Sequence, residues 1–183
     1  MDLPSLISLI LEIRNFAPTQ RLVVFGSGSL LASFEQLGTE DSLVKRSRDA
    51  DFIMFPWDEV LAQDIHRHIG ADFVFDQKFG YHADIIRPIV TENFPPGWEE
   101  RLVPLAGMEN VFCLEPHDMA VAKLFAGRPK DISLLTDLVK AQRLRALTVF
   151  ERLCATPMTE AMIVKTHQRL QQVADLAGVK VPR

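Results

Sequence analysis

Apolar positions follow one rhythm before Pro116 and another after it. Upstream, short apolar runs are separated by turn residues. Downstream, apolar residues recur every three or four positions almost to the end. MDLPSLISLILEIRNF at the start predicts an amphipathic helix, with Leu6, Ile7, Ile10, Leu11 and Ile13 facing inward and Pro18 closing it. RLVVF (21–25) predicts a buried strand. Four small residues follow, Gly26, Ser27, Gly28 and Ser29, and then a helix over 30–37. Residues 38–48 have no apolar period and read as a loop.

DADFIMF (49–55) predicts the next strand, and 57–69 a helix with Val60, Leu61, Ile65 and Ile69 near one face. ADFVFD (71–76) and YHADIIRP (81–88) predict two more strands around a turn at Gly80. TENFPPGWEE (91–100) is a loop, and strands are expected at 101–107 and 111–115, with Pro104 marking an edge or a bulge. Helices are expected at about 116–126, 129–143, 146–155 and 158–177, with Pro116 and Pro129 in first turns. The pattern therefore predicts an α+β fold: a mixed sheet with flanking helices over 1–115, and a C-terminal helical region, 116–183, packed on that core.

Composition narrows the class without choosing a function. The chain has 183 residues, 48% of them hydrophobic and 24% charged, an ordinary globular balance. Its net charge of −4 argues against a broad basic surface and so against a large nucleic-acid interface. Cys113 and Cys154 lie in apolar contexts without a CxxC and read as two buried free thiols, which fits a cytoplasmic location. The first helix is a poor signal peptide, interrupted by Glu12 and Arg14, and no segment approaches the ~20 apolar residues of a membrane span.

Three carboxylates carry the chemistry. Asp49 and Asp51 are two apart on a predicted strand and so share a face. Like charges this close repel, and a hard divalent ion with oxygen ligands would relieve them; two solvated turn aspartates are the bland alternative. Asp84 lies inside another apolar strand, where a charge is costly unless paired or metal-bound. It completes a two-metal arrangement suited to phosphoryl transfer, or else forms a salt bridge with Arg87. His82 shares the predicted strand face of Asp84. His66 and His68 face apart and make a poor zinc pair, and His167 reads as a core histidine.

In this order, FGS (25–27), DAD (49–51) and Asp84 in YHADII resemble the nucleotidyltransferase (polymerase-beta-like) superfamily. LEPHDMAVAKLFAGRPKDISLLTDL (114–138) looks like a segment of AbiEii-type and related bacterial nucleotidyltransferase-like proteins, through a helix bearing a lysine followed by AGRPKD (126–131). The turn departs from the common Gly-Gly-Thr-Ala style, and Ser47 stands in a threonine place before the acids.

The resemblance implies a nucleotidyltransferase-like core and a cytoplasmic enzyme. It would transfer a nucleoside monophosphate from an NTP such as ATP to an acceptor, whether RNA, protein or small molecule, with release of pyrophosphate. Gly26 and Ser27, supported by Gly28 and Ser29, would cradle the triphosphate. Asp49, Asp51 and Asp84 would be the catalytic acids and would bind Mg²⁺ or Mn²⁺. Lys123, Lys130 and Asp131 would contact the nucleotide, and Arg46 and Arg48 would steer or hold a polyanion. AbiEii-type relatives imply an antitoxin partner. A nucleotidyltransferase-like domain that binds a nucleotide or a protein without chemistry is the main alternative. A dinucleotide-binding loop fits poorly, because the third glycine position is Leu31.

Overall fold

The computed structural model describes residues 1–182 and divides the chain into two compact units, 1–90 with 102–114, and 91–101 with 115 onward. The segment 91–101, expected as a loop over 91–100, groups with the helices.

The first unit opens with helix α1 (Leu3–Phe16), N-capped by Asp2, whose carboxylate accepts from Ser5 N at 3.0 Å. Leu6, Leu9, Ile10 and Ile13 form its buried stripe, while Leu11, expected inside, is exposed. Strand β1 (Arg21–Phe25) follows. The expected helix over 30–37 is replaced by two 3-10 segments, Gly26–Ala32 and Glu35–Gly38. The loop over 38–48 contains one helical turn, α2 (Leu43–Arg46), capped by Ser42. Strand β2 (Asp49–Phe55) and helix α3 (Glu59–Ile69) come next; Ala62, Ile65 and Ile69 are buried in α3, whereas Val60 points to solvent.

Residues 71–76 are not a strand. They lead into a short helix, α4 (Val74–Phe79), which buries Phe75 and ends on the left-handed Gly80. Strands β3 (His82–Ile85), β4 (Val103–Pro104) and β5 (Val111–Cys113) complete one five-stranded mixed sheet in the order β3-β2-β1-β5-β4. β1 runs antiparallel to β2 and parallel to β5, and β2 runs parallel to β3. Pro104 sits on the outermost strand, where its missing N–H costs no ladder bond. Leu22, Val23, Val24, Phe52, Ile53 and Met54 are fully buried, so the middle strands are apolar on both faces.

The second unit contains α5 (Pro116–Ala126), α6 (Pro129–Lys140), α7 (Ala146–Ala155) and α8 (Glu160–Ala177). Pro116 and Pro129 occupy first turns, where a missing N–H is harmless. Cys113, in the first unit, is buried and its thiol is pushed up to about 12 by desolvation. Cys154, expected inside, is exposed. No helix among the described residues is long and apolar enough to cross a membrane.

Candidate functional site

Sheet register gathers the candidate residues of the first unit. Phe25 faces Asp51 across the antiparallel β1–β2 pair, and Asp51 faces Asp84 across the parallel β2–β3 pair. Asp49 faces His82. Because side chains alternate along a strand, Asp49, Asp51, His82 and Asp84 lie on one face of two neighbouring strands. All four are partly exposed, while Ala50 and Ala83 on the opposite face are buried.

The Gly-Ser turn meets this face directly. Gly26 is left-handed, with φ +69°, and a Cβ there would collide with Asp51 Oδ2. Only glycine supplies that backbone without strain and leaves room for the carboxylate. Gly28 has no such need: a Cβ would meet Val24, Ala50 and Leu6 at 3.6–4.0 Å, ordinary contact. Ser29 is fully buried and donates its hydroxyl to Gly26 O at 2.8 Å, which holds the turn. Ser27 is the partly exposed hydroxyl. It donates to Ser47 Oγ at 3.3 Å, and Ser47 donates to Asp49 Oδ1 at 2.5 Å. A serine relay thus ties the turn to the first acid, and it runs through Ser47, the residue that stands in the threonine place of the motif.

Arg87 does not pair with Asp84; it donates to Glu59 Oε1 at 2.9 Å. Among the described residues no ion pair or hydrogen bond occupies the Asp84 carboxylate. His82 Nδ1 lies 3.3 Å from Asp76 Oδ1 but is not aligned as a hydrogen bond to it. Asp76 is buried and also accepts from Arg48 Nη2 at 2.9 Å and from Asp72 N at 3.2 Å. Burial alone would raise its carboxyl; these partners outweigh burial and hold it below the usual range. Arg48 is therefore committed to bracing the start of β3. Arg46 pairs with Asp41 on the surface.

The donor set suits a hard cation: carboxylate and hydroxyl oxygens only. Among the described residues no group of three or more His, Cys, Asp or Glu side chains is arranged to hold a metal ion by itself. What fits is the usual magnesium habit of one or two carboxylates plus water and substrate phosphate oxygens.

The family model described as "Nucleotidyltransferase of unknown function (DUF6036)" matches residues 2–174. The chain belongs to this family. No curated protein and no solved structure matches it. The nucleotidyltransferase family label agrees with a mixed sheet that sets acids beside a small-residue turn.

In the second unit of this nucleotidyltransferase-family chain, AGRPKD is a helix joint. Gly127 is left-handed, with φ +61°, and a Cβ there would collide with the Arg169 guanidinium. That guanidinium donates to Leu124 O at 2.7 Å and Phe125 O at 2.8 Å, capping the carbonyls that end α5. Asp131, at the third position of α6, accepts from Arg128 N at 3.2 Å and Arg128 Nε at 2.8 Å. Lys123 is buried and lies 3.2 Å from Asp131 Oδ1. Burial raises the Asp131 carboxyl, and Arg128 and Lys123 outweigh it, leaving it below the usual range. Any phosphate contact by Lys123 must compete with this pair. Lys130 is exposed.

A second network in the same unit escaped the motif reading. Asp118, fully buried, accepts from Arg101 Nε at 2.9 Å, Arg101 Nη2 at 3.0 Å and Arg152 Nη1 at 2.9 Å. Glu115 caps α5 by accepting from His117 N at 2.9 Å, and it pairs with His117 Nδ1 at 2.7 Å and with Arg152. Burial raises the Glu115 carboxyl, but His117 and Arg152 outweigh it and hold it at about 2. An aspartate in the first turn of a helix is an ordinary choice, so nothing in PHDMAVA marks Asp118 as the centre of this network.

Proposed function

We propose that this chain is a metal-dependent nucleotidyltransferase that moves a nucleoside monophosphate from an NTP to an acceptor hydroxyl. The observation that carries the reading is the register Phe25–Asp51–Asp84, with Gly26 folded against the Asp51 carboxylate. Gly26 and Ser27 bind the triphosphate, the glycine by close backbone approach and the serine through its hydroxyl. Ser47 orients Asp49. Asp84 takes the acceptor's proton. The acceptor oxygen bonds to the α-phosphorus, the bond from that phosphorus to the bridging oxygen breaks, and pyrophosphate leaves with the electron pair. Asp49, Asp51 and Asp84 would hold Mg²⁺ or Mn²⁺, which supplies charge neutralisation at the phosphates.

The test is incubation with each labelled triphosphate, divalent metal and a cell extract, and the product is sorted as RNA, protein or small molecule. Label transfer is expected with the wild type. Asp51→Asn, with its fold intact by circular dichroism, should lower the rate by about 10²–10³-fold or more, the scale for losing a key electrostatic group. Equal transfer by the variant would end the reading.

A catalytically silent member would bind a triphosphate or a protein partner and transfer nothing to any acceptor pool. We further infer, from the AGRPKD segment, an AbiEii-type protein acting as the toxin of a toxin–antitoxin pair. If that toxin is the silent member, expression should arrest growth in the wild type and in Asp51→Asn alike.

A further inference from the structure

A cavity of about 460 Å³ in the first unit lies at the C-terminal ends of β2 and β3, away from the acids. Its walls include Trp57, Glu59, His66, Phe73, Ile85 and Arg87. Ile85 follows Asp84 in β3 and so points to the opposite face of the strand. The cavity is thus separate from the candidate catalytic face, although Arg87 lies within three residues of Asp84, at most about 11 Å along the chain.

Two features give this cavity a ligand chemistry. The first is an aromatic lining. Phe73 is 36% exposed, although it is a large aromatic, and His66 stands edge-on to it with ring centroids 5.5 Å apart. Trp57 is fixed by its indole N–H, which donates to Glu59 Oε2 at 3.3 Å. The second is unused donor capacity. Arg87 gives one bond, from Nη2 to Glu59 Oε1, and among the described residues its other guanidinium hydrogens and the ring nitrogens of His66 meet no acceptor. The Arg87–Glu59 pair is solvent-exposed, so an incoming anion displaces little.

We propose that this cavity is a binding site for a small planar heteroaromatic ligand carrying an anionic group, the chemistry of a mononucleotide. The ring lies against Trp57 and Phe73, and the anion takes the free edge of the Arg87 fork. The size suits such a ligand, since small-molecule pockets run from about 300 to 1,000 Å³.

Trp57 is itself the reporter. The chain has two tryptophans, so Trp98→Phe leaves the cavity's indole as the only one. This variant is titrated with AMP in EDTA, without divalent metal, and the fluorescence is followed. Saturable quenching is expected. Arg87→Ala should weaken it about tenfold or more, the scale for a charged hydrogen bond, and Phe73→Ala about fivefold or more, the scale for losing a stacking partner. Adenosine and ribose 5-phosphate should each bind more weakly than AMP. Asp51→Asn should leave the titration unchanged, so a failure of the transfer reading does not touch this one. Absence of saturation, equal binding by ribose 5-phosphate, quenching unaltered in both Arg87→Ala and Phe73→Ala, or loss of quenching in Asp51→Asn would each overturn the proposal. Arg87 is a surface side chain, so its variant is expected to fold.

Discussion

Gly26 in the first unit and Gly127 in the second are both left-handed and pressed against a charged side chain, and they do opposite things. Gly26 makes room for the Asp51 carboxylate, on a strand face that also presents the unpaired Asp84. Gly127 makes room for the Arg169 guanidinium, which is consumed by two helix-end carbonyls, while beside it Lys123 and Arg128 both pair with Asp131. The first sets a carboxylate beside a small-residue turn on a partly exposed strand face. The second uses its charge to hold helices together. A motif of small and charged residues can therefore mark either chemistry or architecture, and the partner of each charge tells them apart.

Substitutions should break this comparison in a definite order. Of the two turn glycines, Gly26→Ala should have the larger effect on transfer, a loss of about 10²-fold, because the new methyl shifts Asp51 by an ångström or so. Its left-handed backbone adds only about 1–2 kcal/mol of destabilisation. Parallel rate and denaturant measurements would show the two together. Asp131→Ala should act on stability instead, costing about 3–5 kcal/mol in denaturant unfolding, since it strands the buried Lys123. Lys123→Met combined with Asp131→Leu should recover much of that loss. A recovered fold with transfer abolished would restore a nucleotide-binding role to the pair.

A smaller effect is expected from acid. The Glu115 carboxyl is held at about 2 in the folded chain, against an ordinary value of 4.5. Its contribution is present above the ordinary value and fades as pH falls from there towards about 2. Melting temperature followed across that window should drop in the wild type, and more shallowly in Glu115→Gln. The smallest effect belongs to Gly28→Ala. Its φ is not left-handed and its surroundings accept a methyl group, so activity should persist and stability should change by less than about 1 kcal/mol.

The alternation of DADFIMF and the isolated acid in YHADIIRP were enough to read one face of the site, because strand period fixes side-chain direction before any packing is known. The contrast between Gly26 and Gly28 was not readable, since both glycines look alike until the Asp51 carboxylate is placed. ADFVFD misleads for a different reason. Six residues with aromatic and branched members fit either period, and here the one buried ring of α4, Phe75, decides for a helix. The expected helix after the turn became 3-10 segments, the first of them starting from a left-handed glycine. The Glu115–Asp118–Arg101–Arg152 network joins residues up to 51 positions apart, beyond the reach of any local pattern.

The two cysteines offer a practical opening. Cys113 is shut away with its thiol held protonated, and Cys154 stands at the surface of α7. The chain as nature wrote it therefore accepts one maleimide dye, on the helical unit, without any engineered residue. Paired with the Trp57 indole of the Trp98→Phe variant as a second optical label, that dye would let the spacing of the two units be followed in solution as triphosphate is added.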